Sequence, residues 1–143
     1  MLRPSWATVR DELADELARL DDREFVILGE PVSWSGPTGL LRRPKPLPGR
    51  YVQFLRMQDS LSGECVGATS FGGDWDISSE QDARIRALGW YAPGEMPDTE
   101  PGYPNYRYDV PLDRAARLAE MGVAALDVLG LRPDDPLELR RDR

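Results

Sequence analysis

Histidine is absent from all 143 residues, cysteine occurs once at Cys65, and Lys45 is the only lysine. Without histidine the chain has no side chain whose ordinary pKa sits between about 5 and 8, and it lacks the commonest protein metal ligand. A single cysteine cannot close an intramolecular disulfide, which agrees with a reducing compartment. Long apolar runs are missing too. The longest, such as Phe25 to Leu28, has four residues, far short of the ~20 that cross a bilayer. Gly72-Gly73 is followed by Asp74 and lacks the lysine and Ser/Thr of a phosphate loop. Basic residues are outnumbered 25 to 18, giving a formal charge of −7 and a pI near 4.6. Nucleic-acid affinity rests on cationic side chains that release counterions, so DNA or RNA is not an expected partner.

Length predicts one domain with one core, over residues 1–131, followed by a polar tail at 132–143 with no expected order. Met1 to Trp6 leads straight into a charged helical pattern without an apolar export segment, so a cytoplasmic location is expected. Ser5 is placed to cap a first helix over roughly 5–20, whose stripe is Trp6, Val9, Leu13, Leu17 and Leu20. Phe25 to Leu28 reads as a buried strand ended by Gly29 and Pro31. Residues 31–49, dense in proline and glycine, read as a long loop without regular structure.

Tyr51 to Gln58 alternates as a strand, with Val52 and Phe54 on one face and Tyr51, Leu55 and Met57 on the other. Asp59, Ser60 and Gly63 suggest a turn, and Cys65 to Phe71 the returning strand. Ser78 and Gln81 have capping-box spacing for a short helix that Gly89 stops. Asn105 to Asp109 is one more short strand, and Pro111 and Gly130 bracket a last helix near 111–129. The fold class is therefore α+β: an antiparallel sheet of about four strands backed by helices, in the order α-β-β-β-α-β-α.

The last helix is apolar around most of its circumference. Leu112, Ala115, Ala116, Ala119, Val123, Leu126 and Leu129 make one stripe, and Leu118, Met121, Ala125 and Val128 a second. One sheet cannot cover both, so the second stripe meets either the first helix or the partner of a homodimer.

Chemistry has few places to reside. Asp74, Asp76, Ser78, Glu80 and Asp82 alternate like calcium ligands, but Ser79 and Ile85 stand where an EF-hand loop needs glycine and glutamate. Helix-capping acids are the simpler account. A carboxylate-dependent hydrolase or metal-binding enzyme around Asp74, Asp76 and Glu80 is an alternative reading. Cys65, within a strand, reads as a buried small hydrophobe.

Aromatics are concentrated between Phe71 and Pro111, which hold two of four tryptophans and four of five tyrosines. Trp90, next to Gly89, reads as a core anchor. Trp34, Trp75, Tyr91, Tyr106 and Tyr108, on loops and short strands, are candidates for gripping a peptide.

The string Phe71-Gly72-Gly73-Asp74-Trp75, then Ala87-Leu88-Gly89-Trp90 with Pro93, then Pro104-Asn105-Tyr106 and Val110-Pro111 before an alanine-rich helix, resembles the actinobacterial TY-Chap domains, relatives of YbjN proteins and type III secretion chaperones. The scarcity of lysine agrees with GC-rich bacterial coding. The resemblance extends over most of residues 5–131 and implies an α+β sheet backed by helices, often dimeric, that binds peptide segments of client proteins. It implies no catalytic residue and no cofactor. Tyr106 stands where tryptophan is commoner in that family, and the 31–49 segment is an insertion. The expectation is thus a non-enzymatic, chaperone-like module that offers a sheet face, a sheet edge or loop aromatics to a client segment. A third reading, an acidic inhibitor or immunity-type protein, would suit the charge.

Overall fold

The computed structural model describes residues 4–31, 49–68, 75–97 and 102–143, together with the backbone at 33–34 and 46–47. Its helices are α1 (Trp6–Arg19), α2 (Ser79–Ala87) and α3 (Ala115–Val128). Its strands are β1 (Phe25–Gly29), β2 (Ser33–Trp34), β3 (Pro46–Leu47), β4 (Tyr51–Met57), β5 (Ser60–Cys65), β6 (Tyr106–Pro111) and β7 (Glu138–Asp142). Five of these strands form one antiparallel sheet in the order β6-β5-β4-β1-β7, and β2 pairs with β3 apart from it.

Local chemistry sets the helix limits. The Ser5 hydroxyl accepts from the Thr8 amide at 3.2 Å, so α1 starts where its cap predicts. Ser78 accepts from the Gln81 amide at 3.1 Å while the Gln81 side chain accepts from the Ser78 amide at 3.0 Å, a complete capping box. Gln81 then uses its amide nitrogen to donate to the Val128 carbonyl at 3.2 Å, tying α2 to the end of α3. The last helix begins as a single 3₁₀ turn, Leu112–Arg114, before α3 proper.

All three helices lie on one face of the sheet. Leu13 and Leu17 of α1, Leu20 at its C-cap, Ile85 of α2, and Leu118, Met121 and Leu126 of α3 close over Val26, Val52, Phe54, Leu61, Cys65 and Tyr106, all of them 0–2% exposed. Both stripes of α3 are buried within the chain apart from half-buried Leu112 and exposed Ala116, and Trp6 Nε1 donates to Asp127 Oδ1 across the α1–α3 contact at 3.1 Å. The second stripe meets the sheet and the end of α2, with Leu118 beside Gly63 and Met121 beside Gly89, while the side of α3 that carries Val123 and Asp127 meets α1.

The sheet also departs from expectation in three places. The hairpin turn is Gln58-Asp59, with Gln58 at φ 56°, so Ser60 and Gly63 belong to the returning strand. Gly63 is in that strand because a β-carbon there would come within 2.9 Å of Leu118 Cδ1 and 3.3 Å of Trp90. A short β2–β3 ladder forms within the segment expected to lack regular structure. Most notably, the polar tail is ordered at 138–142, where it pairs with β1 and becomes the fifth strand. Its charged residues gave no apolar alternation to signal a strand, because almost all of β7 is exposed.

Candidate functional site

The face of the sheet opposite the helices is built by the alternate residues of each strand. Strand register sets Arg107, Glu64, Gln53, Ile27 and Arg140 in one row across it, and Asp109, Ser62, Leu55, Phe25 and Asp142 in the next. Met57 lies one step further along β4 and is 46% exposed. Phe25, Ile27 and Leu55 are half-buried and take no part in the core cluster. Among the described residues no helix lies over this face. It therefore offers an apolar strip, centred on β1 and β4, with a polar end at β5 and β6.

At that polar end Gln53, Leu55, Ser62, Glu64, Tyr103 and Arg107 line a cavity of about 330 Å³. Tyr103 is its wall, with the Arg107 guanidinium 5.6 Å from the ring centroid. Arg107 also donates to Ser62 Oγ at 3.1 Å and lies 3.6 Å from Asp109. Burial holds the Glu64 carboxyl above its usual range, partly offset by the positive charge of Arg107 and reinforced by Asp109.

The aromatic residues singled out in the sequence do not converge on one site. Tyr106 is wholly buried, and its hydroxyl donates to Asp82 Oδ1 at 2.6 Å, so it is a core anchor rather than a contact ring. Burial and the Asp82 carboxylate both push its phenol up. Tyr108 is half-buried on the same helix-covered face and stacks with Tyr91 at 6.1 Å. Tyr91 exchanges two main-chain hydrogen bonds with Arg107 along the outer side of β6, and its ring is 41% exposed. Trp75 lies elsewhere, 4.8 Å beneath the Arg50 guanidinium, in a cavity of about 430 Å³ shared with Glu30, Leu131 and Asp135. The backbone of Trp34 pairs with Pro46, and its side chain lies outside the described residues. Trp90 is 2% exposed with its indole N–H on the Met121 carbonyl at 3.2 Å, as a core anchor should be.

The other candidates are dispersed. Asp74 lies outside the described residues, while Asp76 and Glu80 are exposed beside the cap of α2. Among the described residues no group of three or more acids or cysteines is placed to hold a metal ion. Cys65 is fully buried, and burial pushes its thiol up, away from the reactive thiolate. No described helix is long and apolar enough to cross a membrane. What sequence reasoning passed over as a site was Phe25, Ile27, Gln53, Leu55 and Glu64. The signal was present in the alternation of β4, which separates Leu55 and Met57 from the core-facing Val52 and Phe54.

Residues 2–142 match the family described as TY-Chap3, T3SS (YopN, CesT) and YbjN peptide-binding chaperone 3. No curated protein and no solved structure matches the chain.

Proposed function

The chain belongs to the TY-Chap3 family of peptide-binding chaperones, and from that premise we propose that it is a non-enzymatic module that holds an extended segment of a client protein against the helix-free face of its sheet. The observation that carries this is the strip of Phe25, Ile27, Leu55 and Met57, which lies on the face away from all three helices and outside the core cluster. Apolar side chains left off the core in a contiguous row mark a contact surface. An extended segment matches a sheet because alternate side chains of both point toward each other. Tyr91, exposed where it bridges to β6, would flank the bound segment, and Trp75 in its own cavity would be a separate contact.

Peptide arrays probed with the full chain test this. Extended apolar sequences should be retained, and Leu55→Asp and Met57→Glu should each reduce retention at least several-fold. Met57 is exposed, so its substitution leaves the core untouched. Retention unchanged in both variants, or no retention of any sequence, would overturn the reading.

A further inference from the structure

The two edges of the five-stranded sheet differ. The outer side of β6 is closed where Tyr91 and Arg107 exchange main-chain hydrogen bonds of 3.0 and 3.1 Å. Among the described residues nothing pairs with the outer side of β7, which runs beside β1 alone. An open edge strand is a template for pairing with another chain.

The register decides which main-chain groups are free there. In an antiparallel ladder successive residues turn their amide and carbonyl to opposite sides. The Arg56 amide donates to the Glu24 carbonyl and the Glu30 amide to the Arg50 carbonyl, so the even-numbered residues of β1 face β4, and Phe25, Ile27 and Gly29 face β7. Their partners are Asp142, Arg140 and Glu138. Leu139 and Arg141 therefore direct amide and carbonyl outward. The Leu139 side chain, opposite Leu28, lies on the helix side and is 40% exposed, beside Val9, Leu13 and Leu137 at a cavity of about 400 Å³. Glu138 and Arg140 flank it on the helix-free face. Among the described residues neither of these makes an ion pair, whereas Arg141 and Arg143 are both drawn to Glu24.

We infer that the outer edge of β7 is an interface for a second copy of this chain, paired antiparallel about a two-fold axis through Leu139. Turned about that axis the segment is its own complement. Leu139 exchanges both outward main-chain bonds with Leu139 of the second copy, and each Glu138 stands directly opposite an Arg140. Opposite charges at facing positions stabilise a strand pair, and like charges destabilise it. The neighbouring registers fail on this count, because centring on Arg140 or on Arg141 sets that arginine against its own copy. Charge thus fixes the register of an isologous contact. The two sheets become one, with the helices of both copies on one side and both helix-free faces on the other, and the pairing holds whatever those faces bind.

Sedimentation equilibrium of the full chain over a range of concentrations tests this. The contact is small, so half-association is expected near about 0.1 mM. Glu138→Arg and Arg140→Glu each set like charges opposite one another and should weaken self-association at least about fivefold. Both positions lie outside the core, so the fold is retained. Mixed in equal amounts the two variants are complementary again, and the mixture should associate as tightly as the parent. The Leu139 and Arg141 amides should gain protection from hydrogen exchange as concentration rises, while the Arg140 amide, already bonded to β1, should not. A chain that stays monomeric to about 1 mM, or a dimer that neither single variant weakens, overturns the inference. Weakened single variants that do not recover on mixing overturn the register and the inference with it. A monomer whose Leu139 and Arg141 amides respond instead to the extended peptide Thr-Val-Thr-Val-Thr-Val-Thr assigns the edge to a client and overturns the second copy.

Discussion

Arg141, near the C-terminus, holds Glu24, at the entrance to β1, through two hydrogen bonds of 2.6 and 3.2 Å. The same guanidinium donates to the Arg19 carbonyl at 3.0 Å, and Arg143 lies 3.7 Å from Glu24. These ties join the end of α1, the start of β1 and the outermost strand. Because β7 buries almost no apolar surface, its order depends on main-chain pairing with β1 and on this ionic anchor. Arg141→Ala should therefore release β7 alone. Hydrogen exchange should quicken at residues 138–142 while Val52–Phe54 and Leu118–Leu126 keep their protection. Equal loss of protection throughout the sheet would mean that the strand is integral to the core.

Glu24 also fixes a pH dependence. Its hydrogen bond to Arg141, with the Asp21 amide and the charge of Arg143, lowers its pKa from 4.5 to about 2 in the folded chain. A carboxyl with a depressed folded-state pKa contributes stability above its unfolded pKa and loses it as pH falls toward the folded value. The anchor should hold unchanged above about pH 5 and weaken between about pH 4.5 and pH 2. Glu24→Gln should flatten that part of the acid limb in thermal melts taken across the window. A variant with an unaltered acid limb would show that other carboxylates govern it.

Tyr106 is central to the core yet keeps one polar bond, from its hydroxyl to Asp82 at 2.6 Å. Asp82 uses its other oxygen to accept from Arg86 at 2.9 Å, so β6 is linked through Tyr106 to the outer side of α2. Hydrogen bonds to charged groups contribute more than neutral ones, so Tyr106→Phe should cost about 1–2 kcal/mol in urea unfolding. Tyr106→Ala, which adds a cavity, should cost about 3–5 kcal/mol. Equal losses in the two variants would place the whole effect in the hydroxyl.

Gly122 sits in the middle of α3, where glycine ordinarily costs a helix up to about 1 kcal/mol relative to alanine. Here the sheet reverses the sign. A β-carbon at this position would come within 2.6 Å of Phe54 Cζ, and the Phe54 ring is fully buried with nowhere to retreat. Gly122→Ala should destabilise by about 1–3 kcal/mol through overpacking, measured by denaturant titration. A stabilised variant would show that α3 can lift off the sheet at little cost.

Elements fixed by nearby residues were legible in the sequence. Ser5 and Ser78 carry their caps locally, and the stripes of α1 and α3 follow from three- and four-residue spacing alone. The alternation at Tyr51–Gln58 foretold both faces of β4, including Leu55 and Met57 on the helix-free one. Distant contacts were not legible. Whether Tyr106 faces solvent or core depends on Asp82, 24 residues away, and on the helices above it. The strand at Glu138–Asp142 depends on pairing with β1 and on Glu24, 117 residues from Arg141. Neither partner leaves a local pattern. The same holds for the cavity at the polar end of the helix-free face, because Gln53, Glu64, Tyr103 and Arg107 meet only once β4, β5 and β6 are side by side.

Glu64 gives a prediction opposite in sign to that for Glu24. Its folded-state pKa is raised, first by burial and then by the charge of Asp109, with Arg107 opposing. A carboxyl whose pKa rises on folding is ionised more readily in the unfolded chain, so its penalty is absent at low pH and grows as pH climbs past 4.5. Glu64→Gln should therefore raise the melting temperature at pH 7, and the difference from the parent should shrink to nothing as pH falls below about 4. A destabilised variant at pH 7 would mean that the carboxylate is satisfied within the chain. A stabilised one shows a charge kept at a cost to the fold, the pattern expected where a side chain serves a binding role.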